Sequence, residues 1–146
     1  MEANVRSLGL LLVGVFVQSC VLAAQAPPDD FQPVATMKQL MADIIHPASN
    51  NILLLVNRGG PGDDKEWAEV RHSAMTLAES ANLLIMRNRA PGWVADAKLL
   101  AEVGTAAYKA AEAKDVKSLA ALTERIDASC TTCHKQFRPA VFQPTR

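Results

Sequence analysis

The chain has 146 residues; 49% are hydrophobic but only 5% aromatic, which suits helices packed through small side chains better than a sheet. That length allows one domain, or one domain plus a targeting segment. Fifteen Lys and Arg balance fifteen Asp and Glu, excluding a basic nucleic-acid surface and an acidic tail, and three cysteines are too few for a disulfide-stapled scaffold.

The first predicted element is an export segment over residues 1–26. Arg6 precedes an apolar run from Leu8 to Val17, and small residues ending in Ala24-Gln25-Ala26 match a small-x-small cleavage pattern. Ala23 and Ala24 are alternative cut points ahead of Pro27. Two rival readings share the same stretch. The run 8–26 is nearly long enough for a retained membrane anchor, and the four residues ending at Cys20 resemble a lipoprotein box with Cys20 as the lipidated residue. All three send residues 27–146 out of the cytoplasm, to the periplasm in a bacterium.

Beyond a Pro-rich linker, the sequence divides at Gly/Pro clusters over 57–63 and 88–92 and at a short Glu-Ala-Lys-Asp turn at 112–115. Between them apolar residues step by three and four, the spacing of one helix face. The first predicted helix, about Val34 to Val56, carries Val34, Met37, Met41, Ile44, Ala48, Ile52 and Leu55, with Pro33 at its first position. Pro47 removes an interior hydrogen bond and is expected to kink it.

The second helix carries Trp67, Val70, Ala74, Leu77, Ala81 and Leu84, capped by Asp63 or Asp64. The third carries Val94, Ala97, Ala101, Gly104, Tyr108 and Ala111. The fourth, capped by Asp115, carries Val116, Leu119, Thr123, Ile126, Cys130, Cys133 and Phe137. This pattern predicts an all-α fold, an antiparallel up-down-up-down four-helix bundle.

The chemistry-bearing motif is Cys130-Thr131-Thr132-Cys133-His134, late in the last helix. A redox dithiol belongs after a strand at a helix start, where the dipole activates the thiol; neither condition is met. A structural zinc site needs a fourth ligand, and His46 and His72 stand isolated. Covalent haem attachment uses every residue: two thiols add across the porphyrin vinyls and the following histidine becomes the proximal iron ligand. The remaining reading is an apo four-helix interaction module that carries the motif by chance.

With its "CTTCHKQFR" on the last helix of an all-α chain, the sequence resembles the class II cytochromes c, the cytochrome c′ family and its low-spin relatives. The resemblance spans residues 31–142. The runs "MKQLMADIIHPASNNIL" and "EWAEVRHSAMTLAESANLLIMRNRA" are similar to the first and second helices of one branch. It implies one haem c and its iron, with thioether links at Cys130 and Cys133, His134 as proximal ligand, Phe137 packed near the haem, and Arg138 near the iron or a propionate. Arg138 reads equally as a solvated residue favourable to the helix dipole.

Family members differ on the distal side of the iron. A first-helix methionine gives a six-coordinate electron carrier, whereas an apolar residue leaves the iron open to nitric oxide or carbon monoxide. Met41 is the expected distal ligand and Met37 its competitor; core filling is the bland role of either. His46 is expected to hydrogen-bond at the kink and His72 to face solvent, with Met75 and Met86 in the core or at its rim. Trp67, Trp93 and Tyr108 read as packing residues, with an aromatic edge against the porphyrin as the alternative role. The resulting expectation is a periplasmic electron carrier serving redox protein partners rather than an enzyme, with a five-coordinate gas binder as the alternative. Many relatives dimerise through outer helix faces, so the resemblance allows a homodimer, and membrane association only through the N-terminus.

Overall fold

A computed structural model describes residues 33–88 and 90–139; the stretch 1–26 expected to be an export segment, with Cys20, lies outside the described residues. The described chain is helical, without strands, and packs as four helices. Helix α1 covers 37–57 and joins Met37–Gln39, a π-helical stretch Leu40–Ile45, and His46–Asn57. Helix α2 is Asp64–Arg87 and α3 is Pro91–Glu112. Helix α4 covers 116–137 in two pieces, Val116–Ala121 and Thr123–Phe137.

Helix α1 begins later than expected. Thr36 and Gln39 form a reciprocal capping box: Gln39 N donates to Thr36 Oγ1 at 3.2 Å, and Thr36 N donates to Gln39 Oε1 at 2.9 Å. Two orphan donors are thereby satisfied, so the helix starts after Thr36, and Val34 is left fully exposed rather than on the apolar stripe. The interruption expected from Pro47 takes the form of the π turn. Pro47 has no N–H and its ring crowds the preceding carbonyls, while the wider π turn just ahead of it closes on His46 N donating to Met41 O.

Asp63, rather than Asp64, caps α2 by accepting from Glu66 N at 2.8 Å. Every residue expected on the α2 stripe is buried, from Trp67 to Leu84. On α3 the phase differs from the sequence reading. The buried face runs through Trp93, Ala97, Leu100, Val103, Gly104, Ala107 and Ala111, with Val94, Ala101 and Tyr108 only half-buried beside it. Two contacts set this rotation. The Trp93 indole donates from Nε1 to Leu84 O at 2.8 Å. Gly104 lies so close to α2 that an added Cβ would sit 2.6 Å from Ala78 N, so no larger residue fits without separating the helices.

The other end is tied by loops. Gly60, at φ +100°, takes a left-handed conformation against Val116 at the start of α4. Lys114 reaches Asp64 at 2.6 Å, joining the end of α3 to the start of α2. Asp115 caps α4 by accepting from Ser118 N at 3.0 Å. Val116 is exposed and Thr123 half-buried; Leu119, Leu122, Ile126 and Ser129 make the inward face of α4 instead. Leu40, Ile52, Leu77, Leu119 and Ile126 are completely buried, each contributing roughly 1.5–3 kcal/mol by leaving water. Among the described residues, no helix is long and apolar enough to cross a membrane.

Candidate functional site

The last turns of α4, the first half of α1 and the start of α3 enclose two adjoining cavities of about 270 and 320 Å³. Met41, Trp93, Cys133 and His134 border both and form the wall between them. Each volume lies near the lower end of the ~300–1,000 Å³ typical of ligand pockets, and the shared wall makes the two one larger recess.

Helical geometry explains which side chains meet here. From α4, Cys130, Cys133 and His134 follow at spacings of three and four and reach the first cavity together. Phe137 and Arg138 continue into the second cavity. From α1, Met41, Ile45, Ser49 and Leu53 line the first cavity, while Met37 and Lys38 reach only the second. The π turn lies between these groups and carries Met41 itself, which is why one α1 side chain borders both spaces. Trp93 packs edge-on against Phe137, with ring centroids 5.0 Å apart and planes at 69°, fixing the start of α3 over the end of α4.

Cys130 and Cys133 are free, half-buried thiols. Burial raises the pKa of Cys130, opposed in part by a hydrogen bond with Ser129. Burial likewise raises Cys133, and the nearby Asp96 carboxylate adds to the effect. Neither thiol is therefore primed as a thiolate nucleophile. Burial, and then the Arg138 charge, lowers the pKa of His134 and favours its neutral ring, the form whose nitrogen can ligate a metal. The recess thus offers a thioether sulfur and a neutral imidazole facing one space, beside two protonated thiols. Among the described residues, no group of three or more His, Cys, Asp or Glu side chains is arranged to hold a bare metal ion.

The structure brings together all the site residues expected from sequence: Cys130, Cys133, His134, Met41, Met37, Phe137 and Arg138. His46 hydrogen-bonds at the kink through its backbone, its carbonyl accepting from Ser49 Oγ at 3.0 Å, and the exposed residue also borders the first cavity. His72, Met75 and Met86 are exposed and border neither cavity. Trp67 is buried in the core.

Asp96 is the residue that sequence reasoning missed. It lines the first cavity at 8% exposure, and among the described residues its Oδ2 is buried without a hydrogen-bond partner. A signal existed, because Asp96 lies three residues after Trp93 and directly before Ala97 on the true inward face of α3.

No protein-family model matches this sequence, and no curated protein or solved structure matches it.

Proposed function

We propose that the chain is an exported monohaem c-type cytochrome of the class II kind, an up-down-up-down antiparallel bundle that passes single electrons between redox proteins in the periplasm. The observation that carries this reading is the convergence of Met41 and His134, from two different helices, on the wall common to both cavities. The contacts of Trp93 with Leu84 and of Lys114 with Asp64, at opposite ends of α2 and α3, support the antiparallel arrangement of that pair.

The residues suit a haem on several grounds. The recess is walled largely by apolar groups, including Ile45, Leu53, Leu84, Leu100 and Ile126, and two thiols stand at attachment spacing on one side. The buried, partnerless Asp96 Oδ2 marks the cavity as built for a positively charged or hydrogen-donating occupant. Haem c, when bound, supplies the one-electron ferric/ferrous couple.

The chain's own residues do the rest. Cys130 and Cys133 would hold the haem covalently, and neutral His134 on α4 would ligate its iron. Met41 on α1 would supply the second ligand, with a soft sulfur that favours the ferrous state. Met37, confined to the second cavity, is the competitor for that position. Trp93 at the shared wall and Phe137 beside it would exclude water, while Arg138 and Lys38, which border the second cavity, would supply cations to an anionic group of the haem.

Absorption spectra of the purified holoprotein, oxidised and reduced, with and without carbon monoxide, test this reading. A low-spin spectrum indifferent to carbon monoxide is expected. A high-spin spectrum that shifts with the gas would instead make the protein a five-coordinate binder of nitric oxide or carbon monoxide, and a colourless product would remove the haem altogether.

A further inference from the structure

We propose that Asp96 holds down the reduction potential of this site: its buried carboxylate stabilises the oxidised, more positively charged state of the occupant against the reduced one. This inference rests on the haem reading above and assigns a role to a residue that neither attaches nor ligates the group.

The argument starts from a cost. A carboxyl group withdrawn from water without a partner is strongly unfavourable, so buried carboxylates are paired with cations or donors. Asp96 sits at 8% exposure, on an otherwise apolar face of α3 between Trp93 and Leu100, and its Oδ2 has no hydrogen-bond partner among the described residues. The first cavity holds no permanent cation to neutralise it: its described lining contains no lysine or arginine. The polar groups that share the cavity with Asp96 are His46, Ser49 and Asn50 from α1 and Asp127, Ser129, Cys130, Cys133 and His134 from α4, and none of them donates to Asp96 Oδ2, while α2 contributes only Leu84. The two nearby cations, Lys38 and Arg138, line the second cavity instead.

Asp96 is nevertheless close enough to the attachment side to bear electrostatically on the Cys133 thiol. On the haem reading, the compensating positive charge comes from the cavity's occupant. A ferric haem centre carries one more positive charge than a ferrous one. Reduction adds one electron from the partner protein, with no bond made or broken, and removes the charge that Asp96 favours. In a dry site such an interaction is weakly screened.

The test is the midpoint potential of the holoprotein, measured spectroelectrochemically at fixed pH in low and high salt, for wild type, Asp96→Asn and Asp127→Asn. Asp127 also lines the first cavity but is exposed, so it reports what a solvated carboxylate does there. Asp96→Asn is expected to favour the ferrous form by about tenfold, an upward shift of ~59 mV for one electron, equally in both salts. Asp127→Asn is expected to give a smaller shift that fades as salt rises. Asp96→Ser, which also deletes the charge, serves if the asparagine variant does not accumulate, and should shift in the same direction.

An unchanged low-spin spectrum in the variant shows that ligation is intact and that the shift is electrostatic. A midpoint that stays put or falls, in a variant carrying covalent haem, overturns the role of Asp96 alone. Wild-type protein without covalently bound haem, assayed as the pyridine haemochrome, overturns both this inference and the function it rests on.

Discussion

The seam between α2 and α3 and the recess between α1 and α4 are built from different kinds of residue to opposite ends. Along the seam, Ala74, Ala81, Ala97, Ala107 and Gly104 let two long helices close until backbone nearly touches backbone at Ala78. At the recess a π turn, the proline that follows it and half-buried sulfur-bearing side chains border a cavity instead. Small side chains with unbroken helical phase give density, which resists change. Interrupted phase with larger, softer side chains gives room, and that room is where polar groups such as Asp96 stay without partners.

The largest expected effect belongs to the recess. Replacing both Cys130 and Cys133 with serine should abolish covalent haem completely, seen as loss of haem stain on a denaturing gel, while the bundle still folds. Surviving stain would mean that attachment does not use this motif. Next, Met41→Ala should turn the holoprotein high-spin and open to carbon monoxide, whereas Met37→Ala should leave it low-spin. The reverse result would move the distal ligand to the second cavity.

On the seam the readout is stability instead. Leu77→Ala, at a completely buried position, should cost about 2–5 kcal/mol in urea unfolding. Gly104→Ala should cost about 1–3 kcal/mol by overpacking against Ala78. If the glycine change proved neutral, the seam would be looser than its geometry implies.

Smaller again is the pH behaviour of the thiols before haem is attached. Both pKa values are raised, mainly by burial, so at any given pH the folded chain holds less thiolate than a free cysteine. Alkylation of Cys130 and Cys133 by iodoacetamide, followed by mass spectrometry, should therefore be slow at pH 8 and still climbing beyond pH 9, by about tenfold per unit. A plateau near neutrality would point to an activated dithiol. Smallest of all, Lys114→Ala breaks an exposed ion pair and should leave the melting temperature unchanged.

The same contrast decides what could be read from sequence. Helix α2 contains no proline or glycine and holds one helical period for its whole length, so its stripe of Trp67, Val70, Ala74, Leu77, Ala81 and Leu84 was legible residue by residue. Helix α3 has alanines on nearly every side. Periodicity alone could not choose between faces there, and the choice fell to the Trp93 indole and the close approach of Gly104. Taking the neighbouring face hid Asp96. In α1 the late start is set by the Thr36–Gln39 capping box, which an apolar stripe drawn from Val34 does not register, and the period of 3.6 does not hold through the π turn Leu40–Ile45. The motif residues were legible because their spacing is chemical as well as structural. Met41 and Met37 were both legible as candidates on the α1 stripe, with Met41 the expected one; that Met41 borders both cavities and Met37 only the second depends on how far α1 has turned by the time it reaches α4.

That last point has a consequence for how such a chain tolerates insertions and deletions. A π turn is an α-helix carrying one surplus residue, and each residue of an α-helix turns the chain by about 100°. Because the wider π turn absorbs its extra residue, removing a single residue between Leu40 and Ile45 would let the stretch revert to regular helix while leaving Met37 close to its present face relative to His46–Asn57. The same deletion inside an unbroken helix such as α2 would turn one side against the other by about 100°. The α1 wall of the recess is thus buffered against a one-residue change at the π turn, whereas such a change between Cys130 and His134 would take the motif apart.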